Sequence, residues 1–113
     1  MNDCIFCKII AGEIPSERVY EDEYVIAIRD INPQAKCHVL VMPKCHVADL
    51  TDAASQPELV ARVFVAAARV AEKLGLDKDG YRIISNKGEN GCQSVKHLHV
   101  HVLGGKKLSE KMA

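Results

Sequence analysis

The sequence predicts an α+β domain, an antiparallel sheet of about five strands with one long helix and a short N-terminal helix. Three observations predict it. Five short stretches bounded by turn residues read as strands. Residues 59–74 keep an apolar helical pattern far longer than any of them. The order is strand, strand, strand, helix, strand, strand with short connections, which suits an antiparallel sheet with a helix packed on one face.

Each element follows in turn. Ile5, Phe6, Ile9 and Ile10 fall at helical spacing within residues 4–14, and Gly12 and Pro15 end that segment. Residues 17–20 and 24–29 read as strands joined through the acidic turn Glu21-Asp22-Glu23. Asp30-Ile31-Asn32-Pro33-Gln34-Ala35 is a loop built around Asn-Pro. A third strand, residues 37–42, stops at Pro43. Ser55 and Glu58 form a capping-box pattern that opens the long helix, and Gly75 stops it after Leu74. Six consecutive apolar residues, 63–68, leave Arg62 and Arg69 on one narrow face. A helix so apolar is covered on more than one side, and in a domain of this size the second cover is expected to be another subunit. Residues 81–86 form the fourth strand. A polar, glycine-bearing loop, residues 87–94, leads into the fifth strand-like run, residues 97–105.

Composition narrows the function classes. The 113 residues fit one domain, 1–113, and at 48% hydrophobic they supply a core. Fifteen basic and fifteen acidic side chains cancel, so no bulk attraction to nucleic acid or to an anionic membrane is expected. Any bound anion is then held by a local site. The polar start Met1-Asn2-Asp3-Cys4 is unlike a secretory signal, and Arg62, Arg69, Glu72 and Lys73 interrupt the region that would have to span a bilayer. Five cysteines without an export signal argue against a disulfide framework and for a reducing, cytoplasmic setting.

The densest chemistry lies in His97-Leu98-His99-Val100-His101-Val102. Three of the five histidines recur at period two, which on a strand places the imidazoles on one face. Three readings are open. The rings form an inert hydrogen-bonded face, converge on a zinc ion, or include a nucleophile oriented by its neighbours. The preceding loop favours an anion. Gly91 lets backbone N–H groups approach a ligand, and Ser94 adds a hydroxyl. A second constellation, Cys4-x-x-Cys7, reads alone as redox-active, zinc-binding or accidental.

The run Gln93-Ser94-Val95-Lys96-His97-Leu98-His99-Val100-His101-Val102-Leu103-Gly104-Gly105 resembles the signature of the histidine triad (HIT) family, and most closely its Hint-type nucleoside phosphoramidase branch. Asp30-Ile31-Asn32-Pro33-Gln34-Ala35, His38-Val39-Leu40-Val41-Met42-Pro43-Lys44, Phe6-Cys7-Lys8-Ile9-Ile10 and Glu13-Ile14-Pro15-Ser16 are similar to the same branch, in the same order along the chain. The resemblance implies the HIT fold and a set of roles. His99 matches the nucleophile, His101 a phosphate and proton partner, and His38 a member of the same hydrogen-bonded set. Asn86 and Ser94 match contacts to the phosphate or leaving group, and Asp30 the partner of the ribose hydroxyls. Ile5, Phe6, Ile9, Ile31 and Leu40 match the lining of the nucleotide base pocket, although without the resemblance core packing is the better reading of each. Some bacterial members that resemble this chain hold zinc with such a CxxC and two histidines, which implies a zinc site at Cys4, Cys7, His46 and His97. Cys37 and Cys45 match no role, and Cys92 stands where a glycine is common.

The implied function is a cytoplasmic homodimeric hydrolase. It would cleave the P–N bond of purine nucleoside phosphoramidates, such as an adenosine 5′-phosphoramidate, or act on a substrate of the aminoacyl adenylate type, through a nucleotidyl-histidine, and release an AMP-like product. Zinc would be structural, with no cofactor required for catalysis. Two rivals stand beside it. One is a dinucleoside polyphosphate hydrolase of the fragile histidine triad type. The other is a nucleotide- or zinc-binding interaction module whose catalysis is vestigial. Gly104-Gly105 and Asp30-Ile31-Asn32-Pro33 favour the phosphoramidase over the first, and the intact triad with Ser94 and Asn86 favours it over the second.

Overall fold

Side chains alternating across one sheet set the architecture. The structure, a computed structural model, describes residues 3–112. Five antiparallel strands lie in the order β1-β2-β3-β5-β4. They are β1 (Arg18–Glu21), β2 (Val25–Arg29), β3 (Cys37–Pro43), β4 (Tyr81–Ser85) and β5 (Val100–Gly104). Val25 and Ala27 of β2, Val39 and Val41 of β3, and Val100 and Val102 of β5 project into one apolar layer. Ile26, Ile28, Leu40 and Met42 project into the other.

The long helix α3 (Pro57–Lys73) covers the first layer with Val63, Ala66, Ala67, Val70 and Ala71. Three alanines let its backbone approach the sheet. Val63 and Val70 are fully buried, and each burial contributes roughly 2 kcal/mol. Its far side is partly uncovered, with Val65 56% exposed. Among the described residues no helix is long and apolar enough to cross a membrane. The short helix α1 (Ile5–Ile10) covers the second layer with Phe6 and Ile9.

Several element boundaries differ from the sequence expectation, each for a local reason. The helix expected across residues 4–14 spans only Ile5–Ile10, capped at Cys4 and followed by Gly12 at φ 83°. Ser55 does not cap α3. Gln56 takes that position without a side-chain cap bond, and Pro57 starts the helix where no N–H is needed. A further short helix, α2 (Leu50–Ala53), is capped by Asp49, whose carboxylate accepts from the Asp52 N–H.

The fifth strand starts later than the histidine periodicity suggests. His97 N–H donates to Val95 O, and Leu98 N–H donates to Val47 O, so residues 97–99 are tied outside the ladder. Only His101 of the three lies in β5. The apolar side of the alternation persists, as Leu98 packs with Val47 and Ala53.

Candidate active site and metal centre

Strand register brings His38 to His101. Leu40 on β3 faces His101 on β5, so His38 is the diagonal neighbour on the same face. The rings bond directly, with His38 Nε2 2.8 Å from His101 Nδ1. The backbone N–H of Gln34 donates to His38 Nδ1 at 2.9 Å. A neutral imidazole accepting there carries its proton on Nε2. His38 Nε2–H therefore donates to His101 Nδ1, and the proton of the His101 ring resides on Nε2. Asp30 Oδ2 lies 3.3 Å from the same His38 Nε2 and is the longer partner.

His99 is fixed by the same logic. Its Nδ1–H donates to the backbone oxygen of His97 at 2.7 Å, which leaves a lone pair on Nε2. The His99 and His101 ring centroids are 5.2 Å apart. The Phe6 ring meets His99 in a T-shaped contact at 4.9 Å.

Burial keeps these rings neutral. It pushes His38, His97 and His99 below the ordinary histidine value of 6.5. His101 falls furthest, to about 4, through burial and then through its neighbours His99 and His38. Beside one another, then, lie an imidazole with a free Nε2 lone pair and an imidazole with a free Nε2–H. That is a nucleophile and a donor for an oxyanion.

The loop before the histidines is braced from within. Gln93 uses its whole amide: Nε2 donates to Ala48 O at 2.7 Å and to Val95 O at 3.0 Å, while Oε1 accepts from Gly88 N–H at 3.1 Å. Asn86 Nδ2 donates to Gly91 O at 2.6 Å, so this side chain holds the loop. Lys87 reaches back to Asp49 at 3.1 Å. Gly91 is required by space, because a Cβ there would lie 2.4 Å from the Lys87 carbonyl oxygen. Cys92 has a left-handed backbone, φ 59°, at the position the resemblance associates with glycine. Ser94 is exposed in a cleft of about 470 Å³ that also includes Asp3, Cys4, Ile5 and His46.

Of the apolar residues proposed for a base pocket, Phe6, Ile9 and Leu40 are buried in one cluster on the histidine side of the sheet. Ile5 is 45% and Ile31 90% exposed.

Cys4, Cys7, His46 and His97 converge, with their ligand atoms all within 4.8 Å of one another. Helix α1 supplies the cysteines: Cys4 is its N-cap, and its Sγ accepts from the Cys7 N–H at 3.3 Å. His46 follows β3, and His97 precedes β5. His97 is fully buried, and its Nε2–H donates to Pro43 O at 2.8 Å. Its Nδ1 lone pair therefore faces Cys4 Sγ at 3.4 Å and Cys7 Sγ at 3.5 Å. His46 Nδ1 lies 3.4 Å from Cys7 Sγ and 3.2 Å from His97 Nδ1. Two sulfurs and two ring nitrogens, the His97 one presenting its lone pair, form a donor set that fits tetrahedral zinc and leaves no position for substrate. Asp30, His38 and His101 also cluster within 4.8 Å. There the Gln34 N–H keeps a proton on His38 Nε2, the atom a metal would need, so the trio fits hydrogen bonding instead.

Sequence reasoning missed three contributors: the Gln34 amide, the Pro43 carbonyl and the Gln93 side chain. The first two are backbone groups and leave no residue-type signal. Gln93 could have been suspected as a polar side chain between a glycine-bearing loop and a catalytic-type motif.

Comparison with known proteins agrees with this architecture. The HIT domain family model matches residues 11–108. The purine nucleoside phosphoramidase of Escherichia coli (strain K12) is 43% identical over 112 residues, covering 98% of this chain and 94% of that one. A 14 kDa zinc-binding protein of Zea mays is 51% identical over 93% of this chain and 84% of its own length. The structure of a HIT family hydrolase from Clostridium thermocellum superposes with a TM-score of 0.95 at 46% identity, covering all of this chain and 99% of that one. Fold, motif and near full-length similarity agree, and the chain belongs to the histidine triad (HIT) family of hydrolases.

Proposed function

We propose that this hydrolase cleaves the P–N bond of purine nucleoside phosphoramidates through a nucleotidyl-His99 intermediate. The observation that carries the reading is the His99 ring itself. Its Nδ1–H is committed to His97 O, so Nε2 holds the lone pair, and burial keeps that lone pair unprotonated at neutral pH. Similarity to the Escherichia coli phosphoramidase supports the substrate class.

Nε2 of His99 attacks phosphorus and forms an N–P bond. The P–N bond to the leaving group breaks, and the amine departs with a proton taken from solvent, which the attacking water of the second step gives back. Water then attacks the same phosphorus, the His99–phosphorus bond breaks, and a nucleoside 5′-monophosphate is released. His101 Nε2–H donates to the phosphoryl oxygen as charge develops, while His38 holds the His101 ring by its Nδ1. Asp30 takes the ribose hydroxyls, and Phe6, Ile9 and Leu40 back the purine. Ser94 and the N–H groups of the Gly91 loop add donors. Cys4, Cys7, His46 and His97 would hold zinc, which ties α1 to the ends of β3 and β5 and takes no part in bond making.

Two copies pair across the outer side of α3. Exposed Val65 lies there, and Arg62 stacks 3.9 Å over the Tyr24 ring beside a groove of about 910 Å³. The sequence composition suits a cytosolic setting.

A turnover assay tests the reading. Fluorogenic adenosine phosphoramidate should be hydrolysed with kcat/KM at least tenfold above that for diadenosine polyphosphates. The reverse order would assign the dinucleoside polyphosphate reaction, and binding without turnover would assign a nucleotide-binding module.

A further inference from the structure

We propose that Phe6 and the metal set beneath it form a metal-dependent positioning device for the His99 ring. The inference rests on the nucleophile reading of His99 but concerns how that ring is held.

Helix α1 has six residues, too few to be stable alone, so its place depends on tertiary ties. Cys4 and Cys7 bracket Phe6 on its first turn. Phe6 is buried, and its ring makes T-shaped contacts with His99 at 4.9 Å and with His97 at 6.0 Å. A metal shared by the two cysteines and His97 therefore fastens the turn that presses Phe6 against His99.

A second route runs through the backbone. His97 contributes Nδ1 to the metal set, anchors its ring through Nε2–H to Pro43 O, and offers its carbonyl to His99 Nδ1–H at 2.7 Å. The Phe6 ring and the His97 carbonyl, which both hold the nucleophile ring, thus lie between metal ligands or belong to one. Metal loading sets how well His99 is aimed, although no bond is made or broken at the metal.

The test compares zinc-loaded and chelated full-length protein by side-chain NMR of the histidine rings. In the loaded protein the His99 ring protons should be displaced by the Phe6 ring current, and His99 should populate the single tautomer protonated at Nδ1. Chelation should abolish the displacement, and added zinc should restore it. Phe6→Leu should abolish it with zinc bound, and Phe6→Tyr should retain it. Kinetically, chelation and Phe6→Leu should each lower kcat roughly 10- to 100-fold, since a small misplacement of a reacting group has that effect. KM should change less than kcat on chelation, because aiming is lost and binding is largely kept; for Phe6→Leu the loss of kcat carries the test, since Phe6 also backs the purine. The loss should be equal for purine and pyrimidine phosphoramidates, which separates aiming of His99 from a purely base-lining role of Phe6.

Unchanged His99 resonances in folded, chelated protein would overturn the proposal. If chelation unfolds the chain, zinc-bound Phe6→Leu decides: unchanged His99 resonances and kcat would overturn it equally. Absence of turnover in every form would reject the phosphoramidase reading and leave the NMR result to judge the positioning device.

Discussion

His38 Nε2 and His101 Nδ1 are 2.8 Å apart, and the Gln34 amide settles which of them donates. His38 therefore sets the polarity of the His101 ring from outside the triad. Replacing it should uncouple that ring without removing any group proposed to touch phosphorus. His38→Phe should lower kcat about 10- to 100-fold with a smaller change in KM, since it removes orientation and leaves the nucleophile. Steady-state kinetics of the folded variant check this, and unchanged kcat would remove His38 from the machinery.

The loop of residues 87–94 makes a prediction about stability. Cys92 holds φ 59°, a conformation that costs a side-chain-bearing residue roughly 1–2 kcal/mol relative to glycine. Cys92→Gly should recover about 1 kcal/mol after allowing for the added freedom of glycine in the unfolded chain, seen as a Tm roughly 4 °C higher. Gly91→Ala should do the reverse, because the new methyl would lie 2.4 Å from a backbone oxygen that cannot move alone. Thermal unfolding measures both, and a lower Tm for Cys92→Gly would contradict the strain assignment.

Buried neutral histidines make stability pH-dependent with a defined sign. The His101 pKa is about 4 in the fold against an ordinary 6.5, so the unfolded chain binds the proton first as pH falls. Its contribution is present in full above 6.5 and is lost between 6.5 and about 4. His38 and His99 shift in the same direction. Asp22 and Asp49 are also lowered, from 3.8, and their loss comes below that window. His101→Asn should therefore show a smaller fall in Tm between pH 7 and pH 4.5 than the parent. An equal fall in both proteins would mean that His101 titrates normally.

Much of the fold was legible because burial leaves a periodic trace. Val25 to Ile28, and Val39 to Met42, alternate between two apolar layers, and α3 shows its small-residue face directly. The beginning of β5 was not legible. Period two continues through His97 and His99, whereas the ladder depends on backbone partners, and Val95 and Val47 claim those of His97 and Leu98 first. Ser55 looked like a cap but lost the position to Gln56, since Pro57 sets where the helix can begin. Within the site, the residue types pointed to imidazole chemistry. The proton on each ring depended on the Gln34 amide and the His97 and Pro43 carbonyls, which only the folded chain brings into place.

Assembly is a separate expectation. Pairing through α3 would cover Val65 and the Tyr24–Arg62 stack, both open in the single chain. Sedimentation at micromolar concentration should give about twice the 12.4 kDa chain mass. Val65→Glu should shift the protein toward monomer by placing a charge in that contact. A parent protein that sediments as a monomer would leave the outer side of α3 to another partner.

In the proposed reaction His99 Nε2 forms a bond to phosphorus. Mass spectrometry of the enzyme during turnover of an adenosine phosphoramidate tests it most directly, with the reaction stopped in alkaline denaturant because the N–P bond is acid-labile. A nucleotidyl adduct is expected on the peptide carrying His99, lost in His99→Ala together with several orders of magnitude of kcat. An adduct on any other residue, or turnover by His99→Ala above about a tenth of the parent rate, would contradict it.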